Sequence, residues 1–210
     1  GQLGHGDTAD RTSFTLVSLE RLEEAMIVMA ACNSFHNAVV TAEGRVWTWG
    51  HGKAGCLGHN DEQTRLAPVL VAGEQFDGST IVMVAAGLGH TVAVDEGGAP
   101  WVWGWGEYGQ LGLGDNIRRL TPTQLGTEAA FGGSKVQMAA CGTSHTLFLT
   151  GEGMLWACGD GIGGRLGLND ESVRLSPTRV GPQHFGGACV TTVAAGFTHC
   201  LLPIGHGEVL

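Results

Sequence analysis

Positive charge is scarce in this sequence. Lysine occurs only at Lys53 and Lys135, and 11 lysine and arginine residues stand against 20 acidic ones, for a formal net charge of −9. A surface that binds a phosphate backbone needs clustered cations, because most of its sequence-independent affinity comes from counterion release. The densest cationic spot is Arg118-Arg119. The sequence therefore argues against nucleic acid as a partner of this acidic segment.

Paired cysteines and long apolar runs are also missing. The six cysteines, at positions 32, 56, 141, 158, 189 and 200, have no Cys-x-x-Cys spacing and indicate neither a disulfide framework nor a zinc site. We interpret them as reduced side chains of an intracellular protein, in cytoplasm or nucleus. No apolar run has transmembrane length and no signal segment opens the chain, so no membrane partner is expected. The chain starts on Gly1 inside a recurring motif, which predicts that it is part of a longer protein.

Glycine, in contrast, is abundant, and it recurs with a period. It supplies 36 of 210 residues, about 17 % against an ordinary usage of roughly 7 %, which favours many tight turns. A Leu-Gly dipeptide recurs with spacings of 54, 54 and 55 residues, starting at Leu3, Leu57, Leu111 and Leu166. A histidine keeps the same period at His36, His90, His145 and His199. Such a period indicates a repeat architecture.

Each unit predicts four short strands separated by turns, which is typical of a β-propeller blade. Strands are expected at residues 81–86 and at the equivalent residues 26–31, 136–140 and 190–195. A histidine strand such as 90–94 and a tryptophan strand follow. The helix-like stretch 19–25 is predicted to be a one-turn connector. We therefore predict an all-β chain, one partial propeller domain over residues 1–210 built from four-stranded antiparallel blades, with units near 1–49, 50–103, 104–158 and 159–210.

Two motifs make the repeat more specific. Trp-x-Trp-Gly-x-Gly-x-x-Gly-Gln-Leu-Gly at residues 101–112 and Ala-Ala-Gly-x-x-His-Thr at residues 85–91 resemble the regulator of chromosome condensation family of propellers. The resemblance covers essentially the whole chain. It implies a ring of seven four-stranded blades, of which this sequence holds four units.

Three copies of Gly-x-Gly-x-x-Gly, at residues 50–55, 104–109 and 159–164, suggest nucleotide binding when each is taken singly. A dinucleotide site needs a helix immediately after the glycines, to hold the pyrophosphate at its N-terminus. Here Leu-Gly and more loop follow each copy, in register with the repeat. We predict turns and expect no cofactor.

Two other recurring features are predicted to be structural. The repeated histidines have no second ligand at zinc spacing, so buried imidazoles that satisfy backbone groups are favoured over a metal ring. An aspartate and an arginine also recur four residues apart, and a turn or an ion pair is favoured over a charged ring that faces a partner. These pairs are Asp7/Arg11, Asp61/Arg65, Asp115/Arg119 and Asp170/Arg174.

Partner contacts are expected where the repeats disagree. The residue after Trp-x-Trp-Gly, or its altered form, is His51, Trp105 and Asp160 in successive units. An extra aromatic on a turn is typical of an interface anchor, although packing of Trp105 against the neighbouring blade remains the alternative. The predicted partner-binding residues are Trp105, His51, Lys53, Arg118 and Arg165. No nucleophile–base pairing is apparent, so no catalytic residue and no enzyme activity are predicted.

The resemblance implies several functions, because fold alone does not fix function. The favoured one is a non-catalytic protein-interaction propeller, a recognition module such as those in large ubiquitin ligases of this family. The alternative is guanine-nucleotide exchange on a small GTPase, for which the founding member uses a hairpin inserted into one blade; the even spacing leaves no room for one. Ultraviolet sensing in a related plant photoreceptor uses Gly-Trp-Arg-His-Thr, and the matching positions from Gly87, Gly142 and Gly196 lack that tryptophan and arginine.

Overall fold

The computed structural model describes residues 1–18 and 22–205, whose strands form three complete four-stranded antiparallel sheets. The first sheet contains β1 (Ile27–Cys32), β2 (His36–Thr41), β3 (Val46–Gly50) and β4 (Arg65–Leu70). The second contains β5 (Ile81–Ala86), β6 (His90–Asp95), β7 (Pro100–Gly104) and β8 (Arg119–Gln124). The third contains β9 (Val136–Cys141), β10 (His145–Thr150), β11 (Leu155–Gly159) and β12 (Arg174–Arg179). The prediction of an all-β chain of four-stranded blades is confirmed.

The described part of the chain begins a fourth sheet. It contributes only β13 (Ala194–Ala195), β14 (Cys200–Leu201) and an isolated pairing of Val190 with Ile204. The strand predicted over residues 190–195 is therefore wrong in its extent. Strands gain stability from neighbours in a sheet, and among the described residues this sheet has no third or fourth strand.

The sheets are out of phase with the repeat units. Residues 50–103 contain β4, which completes the first sheet, and then the first three strands of the second. Each complete sheet thus takes its last strand from the next unit. The matching stretch of the first unit lies within residues 1–18, where no strand is formed and Phe14 and Leu16 are exposed. Among the described residues, no sheet is present for that stretch to join.

Glycine is required where each third strand ends. Gly50, Gly104 and Gly159 have φ angles of 109°, 99° and 107°, which side chains rarely adopt. A Cβ atom at Gly104 would also lie 2.5 Å from the carbonyl oxygen of Gly89, which is closer than real contacts allow. This close approach fixes the direction in which the next turn leaves the sheet.

The hydrophobic core lies between successive sheets. One cluster joins the first and second sheets through residues such as Val40 and Trp103, and another joins the second and third through Val102 and Phe148. The first strands β1, β5 and β9 lie side by side from sheet to sheet. The sheets therefore pack face to face as blades around a common side.

Short helical connectors link the blades. They are 3-10 turns at Gly73–Phe76 and Pro182–Phe185 and helix α1 (Thr127–Phe131), and each ends on a buried phenylalanine. Phe131, for example, packs edge-on against Phe148 with ring centroids 5.2 Å apart. In the helix-like stretch predicted at 19–25, residues 19–21 lie outside the described residues. The remainder is a turn, in which Ala25 N–H donates to the Leu22 carbonyl. The sequence did not reveal the other connectors.

Candidate functional site

The buried contact between blades is built on one histidine per sheet. His36, His90 and His145 begin the second strands and are fully buried. His36 Nε2 lies 2.8 Å from Thr91 Oγ1 of the next sheet, and His90 Nε2 lies 2.9 Å from Thr146 Oγ1. The expectation that these rings satisfy backbone groups needs a correction, because their partner is a hydroxyl one repeat further along.

Each threonine hydroxyl passes the contact on to the backbone. Thr91 Oγ1 donates to the Cys56 carbonyl at 2.8 Å, and Thr146 Oγ1 donates to the Gln110 carbonyl at 2.7 Å. Because a hydroxyl has one proton to donate, the histidine Nε2–H must be the donor to it, which leaves Nδ1 without a proton. Burial lowers the pKa of all three histidines, so the rings are neutral at neutral pH.

The same carbonyl accepts a second hydrogen bond from a tryptophan. Trp103 Nε1 donates to the Cys56 carbonyl at 2.8 Å, and Trp49 Nε1 donates to the Gln2 carbonyl at 2.9 Å. Both acceptors directly precede a Leu-Gly pair. The periodic Trp, His and Leu-Gly markers therefore meet in one interblade contact.

The last histidine differs from its siblings. His199 is exposed, because no later sheet covers it among the described residues, so its predicted burial is wrong here. The contact before it also changes: His145 Nε2 lies 3.2 Å from Cys200 Sγ, which lies 3.3 Å from the Arg165 carbonyl oxygen. Cys200 stands where the earlier blades have threonine.

The four aspartate–arginine pairs each close a five-residue loop. Their carboxylate–guanidinium distances are 2.6 to 2.7 Å. In one of them, Asp115 Oδ1 also accepts from Ile117 N–H at 3.0 Å while Arg119 donates to the Ile117 carbonyl at 2.9 Å. The hydrogen bond from Arg119 lowers the pKa of Asp115. Because all these contacts are local, the geometry favours the interpretation as structural turns.

The first pair needs a correction, because Arg11 is not equivalent to the other three arginines. Its guanidinium binds Asp7 at 2.7 Å and donates to the Ala9 carbonyl at 3.0 Å, so the loop itself forms. The other arginines, however, are the first residues of β4, β8 and β12, whereas no strand begins at Arg11. Arg11 instead lines an open cavity together with Leu3 and Phe14. The loop closes through its own contacts, but the strand after it needs a neighbouring sheet, which the described residues do not supply there.

Four of the five predicted partner-binding residues lie together in one cleft between the first and second blades, with a volume of about 450 Å³. His51 and Lys53 lie in the turn after β3, Trp105 in the turn after β7, and Arg118 just before β8. The glycine-rich segments that carry the first three are turns, as expected, and no long helix follows them. We call this place the first cleft.

Aromatic side chains form the walls of the first cleft. Trp105 is half-buried: its N–H donates to the Gly89 carbonyl at 2.7 Å and its ring packs edge-on against Tyr108 at 5.3 Å. These contacts lie within its own blade, and its remaining surface lines the cleft. Opposite it, Phe35 is 45 % exposed and its ring lies 5.8 Å from that of His51.

Sequence reasoning missed Phe35 and Leu88. They lie in the turns between β1 and β2 and between β5 and β6, and both line the first cleft. A signal was available, because the unit position of Phe35 holds Gly89 and Ser144 in the next two units. That position varies as strongly as the position of Trp105.

The charges of the first cleft are unevenly paired. Arg118 forms an ion pair with Glu62, which joins a loop of the second blade to a loop of the first. Lys53 is exposed and makes no ion pair or side-chain hydrogen bond with any described residue. Glu107, in the same turn as Trp105, also lines the cleft.

Arg165 does not belong to this cleft, so its grouping with the other four is wrong. It pairs with Asp160 at 3.4 Å, and both side chains are only 10 % exposed. Arg165 Nε also donates to the Ile162 carbonyl at 2.7 Å. The charge of Arg165 is thus neutralised inside its own turn rather than offered to a partner.

Other kinds of site find no support in residues 1–18 and 22–205. These residues contain no group of three or more His, Cys, Asp or Glu side chains placed to hold a metal ion. Helices of the length and hydropathy that a membrane crossing requires are likewise absent from this part of the chain.

The family model of the regulator of chromosome condensation (RCC1) repeat matches residues 43–94, 98–149 and 152–202, which is most of the chain. The chain belongs to this family. The seven blades of a complete ring remain an implication of membership, because the described residues complete three sheets.

Two curated relatives align with the whole of this RCC1-repeat chain. It is 36 % identical over 209 residues to the ultraviolet-B receptor UVR8 of Arabidopsis thaliana and 38 % identical over 214 residues to the E3 ubiquitin-protein ligase HERC2 of Homo sapiens. The matches cover 46 % of UVR8 and 4 % of HERC2, so the chain spans less than half the length of these relatives.

A solved structure supports the fold. Prp20p of Saccharomyces cerevisiae superposes with a TM-score of 0.76 at 24 % identity, over 93 % of this chain and 46 % of that one. At this identity the likeness shows the propeller architecture alone.

Proposed function

We propose that this chain is a non-catalytic protein-interaction module whose binding surface is the first cleft. The observation that carries the proposal is the convergence of variable turns. His51, Lys53, Trp105 and Arg118 are far apart in sequence, differ from their counterparts in other blades, and line one cleft. Repeated residues build the contact between blades, whereas residues that occur once supply the surface.

The chemistry of the first cleft suits a protein segment. Interface hot spots are enriched in tryptophan and arginine, and they lie in pockets that exclude water. Trp105 offers an aromatic face held by Tyr108 and Gly89, and the Arg118–Glu62 pair edges the same space. No nucleophile in the cleft has an activating base: burial raises the pKa of the Cys56 thiol to about 12, which leaves it protonated.

The relatives agree with a role in recognition. HERC2 is a ubiquitin ligase of which the matched stretch is a small part, and the work on Prp20p describes its binding to Gsp1p and histones. We propose that this chain likewise serves as the recognition part of a longer protein, with substrate recognition for a ubiquitin ligase as one such setting. Ultraviolet reception, as named for UVR8, is not carried over, because Trp and Arg are missing before His90, His145 and His199.

Affinity capture with the natural full-length protein tests the proposal. Trp105→Ala should reduce recovery of specific partners about tenfold or more, because it removes the largest side chain lining the cleft. Ile162→Ala is the matched control, since Ile162 is 59 % exposed but does not line the cleft. Partners that bind the Trp105→Ala and wild-type proteins equally would contradict the assignment of the first cleft.

The same capture discriminates guanine-nucleotide exchange from simple binding. If a small GTPase is recovered, its nucleotide release should be measured with and without the protein. We expect no acceleration, because the described blades hold no inserted hairpin between their strands. Accelerated release would make the protein an exchange factor.

A further inference from the structure

We propose that the first cleft binds an extended peptide segment in which a large apolar side chain is flanked by a carboxylate. This inference rests on the proposed function and specifies the chemistry of the partner. It follows from two parts of the cleft that differ in character: an aromatic slot between two blades, and a lysine without a partner at its edge.

The aromatic slot selects the apolar side chain. Phe35 and Trp105 lie on opposite sides of the cleft, in turns of the first and second blades, and Leu88 lines the space with them. Phe35 is 45 % exposed although its backbone carbonyl is fixed by a 2.8 Å hydrogen bond from His51 N–H. An exposed aromatic on a fixed turn loses little conformational freedom on binding, so it favours a ligand that covers it.

The charges select the carboxylate and its position. Arg118 is already paired with Glu62, whereas Lys53 has no acidic partner among the described residues. Glu107 lines the same cleft and repels a carboxylate placed beside it. The carboxylate is therefore expected at the Lys53 end, where one positive charge stands out on a chain with a net charge of −9.

No equivalent arrangement occurs between the second and third blades. There the unit positions of Phe35, Lys53 and Trp105 hold Gly89, Glu107 and Asp160. The slot loses an aromatic wall and the cation becomes an acid. The chain therefore presents this combination once among its described blades.

Selection of peptides from a phage-displayed random library on the natural full-length protein tests the inference. Lys53→Glu is the main variant, because its counterpart Glu107 shows that the turn accepts glutamate. Trp105→His is the second, because His51 occupies the same unit position. Lys135→Glu is the charge-matched control, on an exposed lysine away from the cleft.

The enriched peptides should carry Leu, Met, Phe or Trp close to Asp or Glu. Lys53→Glu should weaken these peptides about tenfold and shift selection toward Lys or Arg, while Lys135→Glu leaves binding unchanged. Trp105→His should weaken all of them. Enrichment that depends on Trp105 but shows no acidic preference would overturn this inference and leave the interaction function standing. Peptides insensitive to both cleft variants, or no enrichment at all, would overturn it as well, whereas the capture experiment judges the proposed function separately.

Discussion

The buried junction between blades and the turns at its rim follow one backbone pattern but hold opposite kinds of residue. At the junction, His36 and His90 reach a threonine of the next blade, which reaches a carbonyl. At the rim, only a few residues away, His51 N–H and Trp105 N–H donate to the carbonyls of Phe35 and Gly89, yet their side chains share nothing. The hydrogen bonds repeat in both regions, but the side chains repeat only where they are buried.

The difference follows from what each region must satisfy. A buried polar group needs its partner, so substitution at the junction leaves the other partner unsatisfied. At the rim the backbone bonds form whatever side chain is attached, and water covers what the protein does not. Blade joining and recognition are therefore separable: changes at the junction should alter stability, and changes at the rim should alter binding.

The junction should carry a strong pH dependence. Burial lowers the pKa of His36 and His145 to about 4 and that of His90 to about 3. Below about pH 6.5 the unfolded chain binds these protons and the folded chain does not, so stability is complete above that pH and falls toward pH 4. Each histidine removes about 3 kcal/mol of unfolding free energy over this window, a large share of a domain's stability. Denaturant unfolding followed by circular dichroism between pH 4 and 8 measures the loss.

Variants assign this dependence to the junction. His90→Gln keeps a donor near Thr146 without a titrating ring, so it should flatten the pH curve by about one third of its slope. His199→Gln, at the exposed counterpart, should leave the curve as it is. Equal effects of the two variants would show that the buried rings do not control acid stability.

The extent to which the sequence predicted this molecule follows the same division. The period located the strands, because turns and apolar runs recur with it, and the Asp115–Arg119 type of pair was found because its partners are four residues apart. The partner of His90 was missed because it lies 56 residues away, in the next blade. Phe35 was missed, and Arg165 misplaced, because blade packing decides which turns meet, and local turn geometry decides which charges pair.

Arg11 shows where a periodic pattern stops being sufficient. Its loop closes on Asp7 as the period predicts, because that contact needs only four residues of chain. The strand that begins at Arg65 in the next unit pairs with β3, and no such partner strand precedes Arg11 among the described residues. Local contacts can therefore be predicted from one unit, whereas strand pairing also depends on the unit before it.

Asp160 tests the comparison by behaving like a junction residue at a rim position. Its carboxylate faces Arg165 and also accepts from Ile162 N–H at 3.0 Å, with little exposure. Asp160→Ala should leave a nearly buried guanidinium unpaired and cost about 2 kcal/mol of unfolding free energy. His51→Ala, at the same unit position one cleft away, should cost less than about 0.5 kcal/mol. Thermal and denaturant unfolding of both variants would show whether burial, rather than position in the repeat, sets the cost.

Trp105→His should produce the smallest change in stability and thereby sharpen the separation. The ring of Trp105 is half-buried against Tyr108 and Gly89, and the smaller ring of His51 already occupies the matching turn of the first blade. The backbone bond from residue 105 to the Gly89 carbonyl does not depend on the side chain. We expect a loss of no more than about 1 kcal/mol, from the aromatic contact and part of the buried area. A much larger loss in denaturant unfolding would mean that Trp105 holds the blades together, and that the rim and the junction are one structural unit.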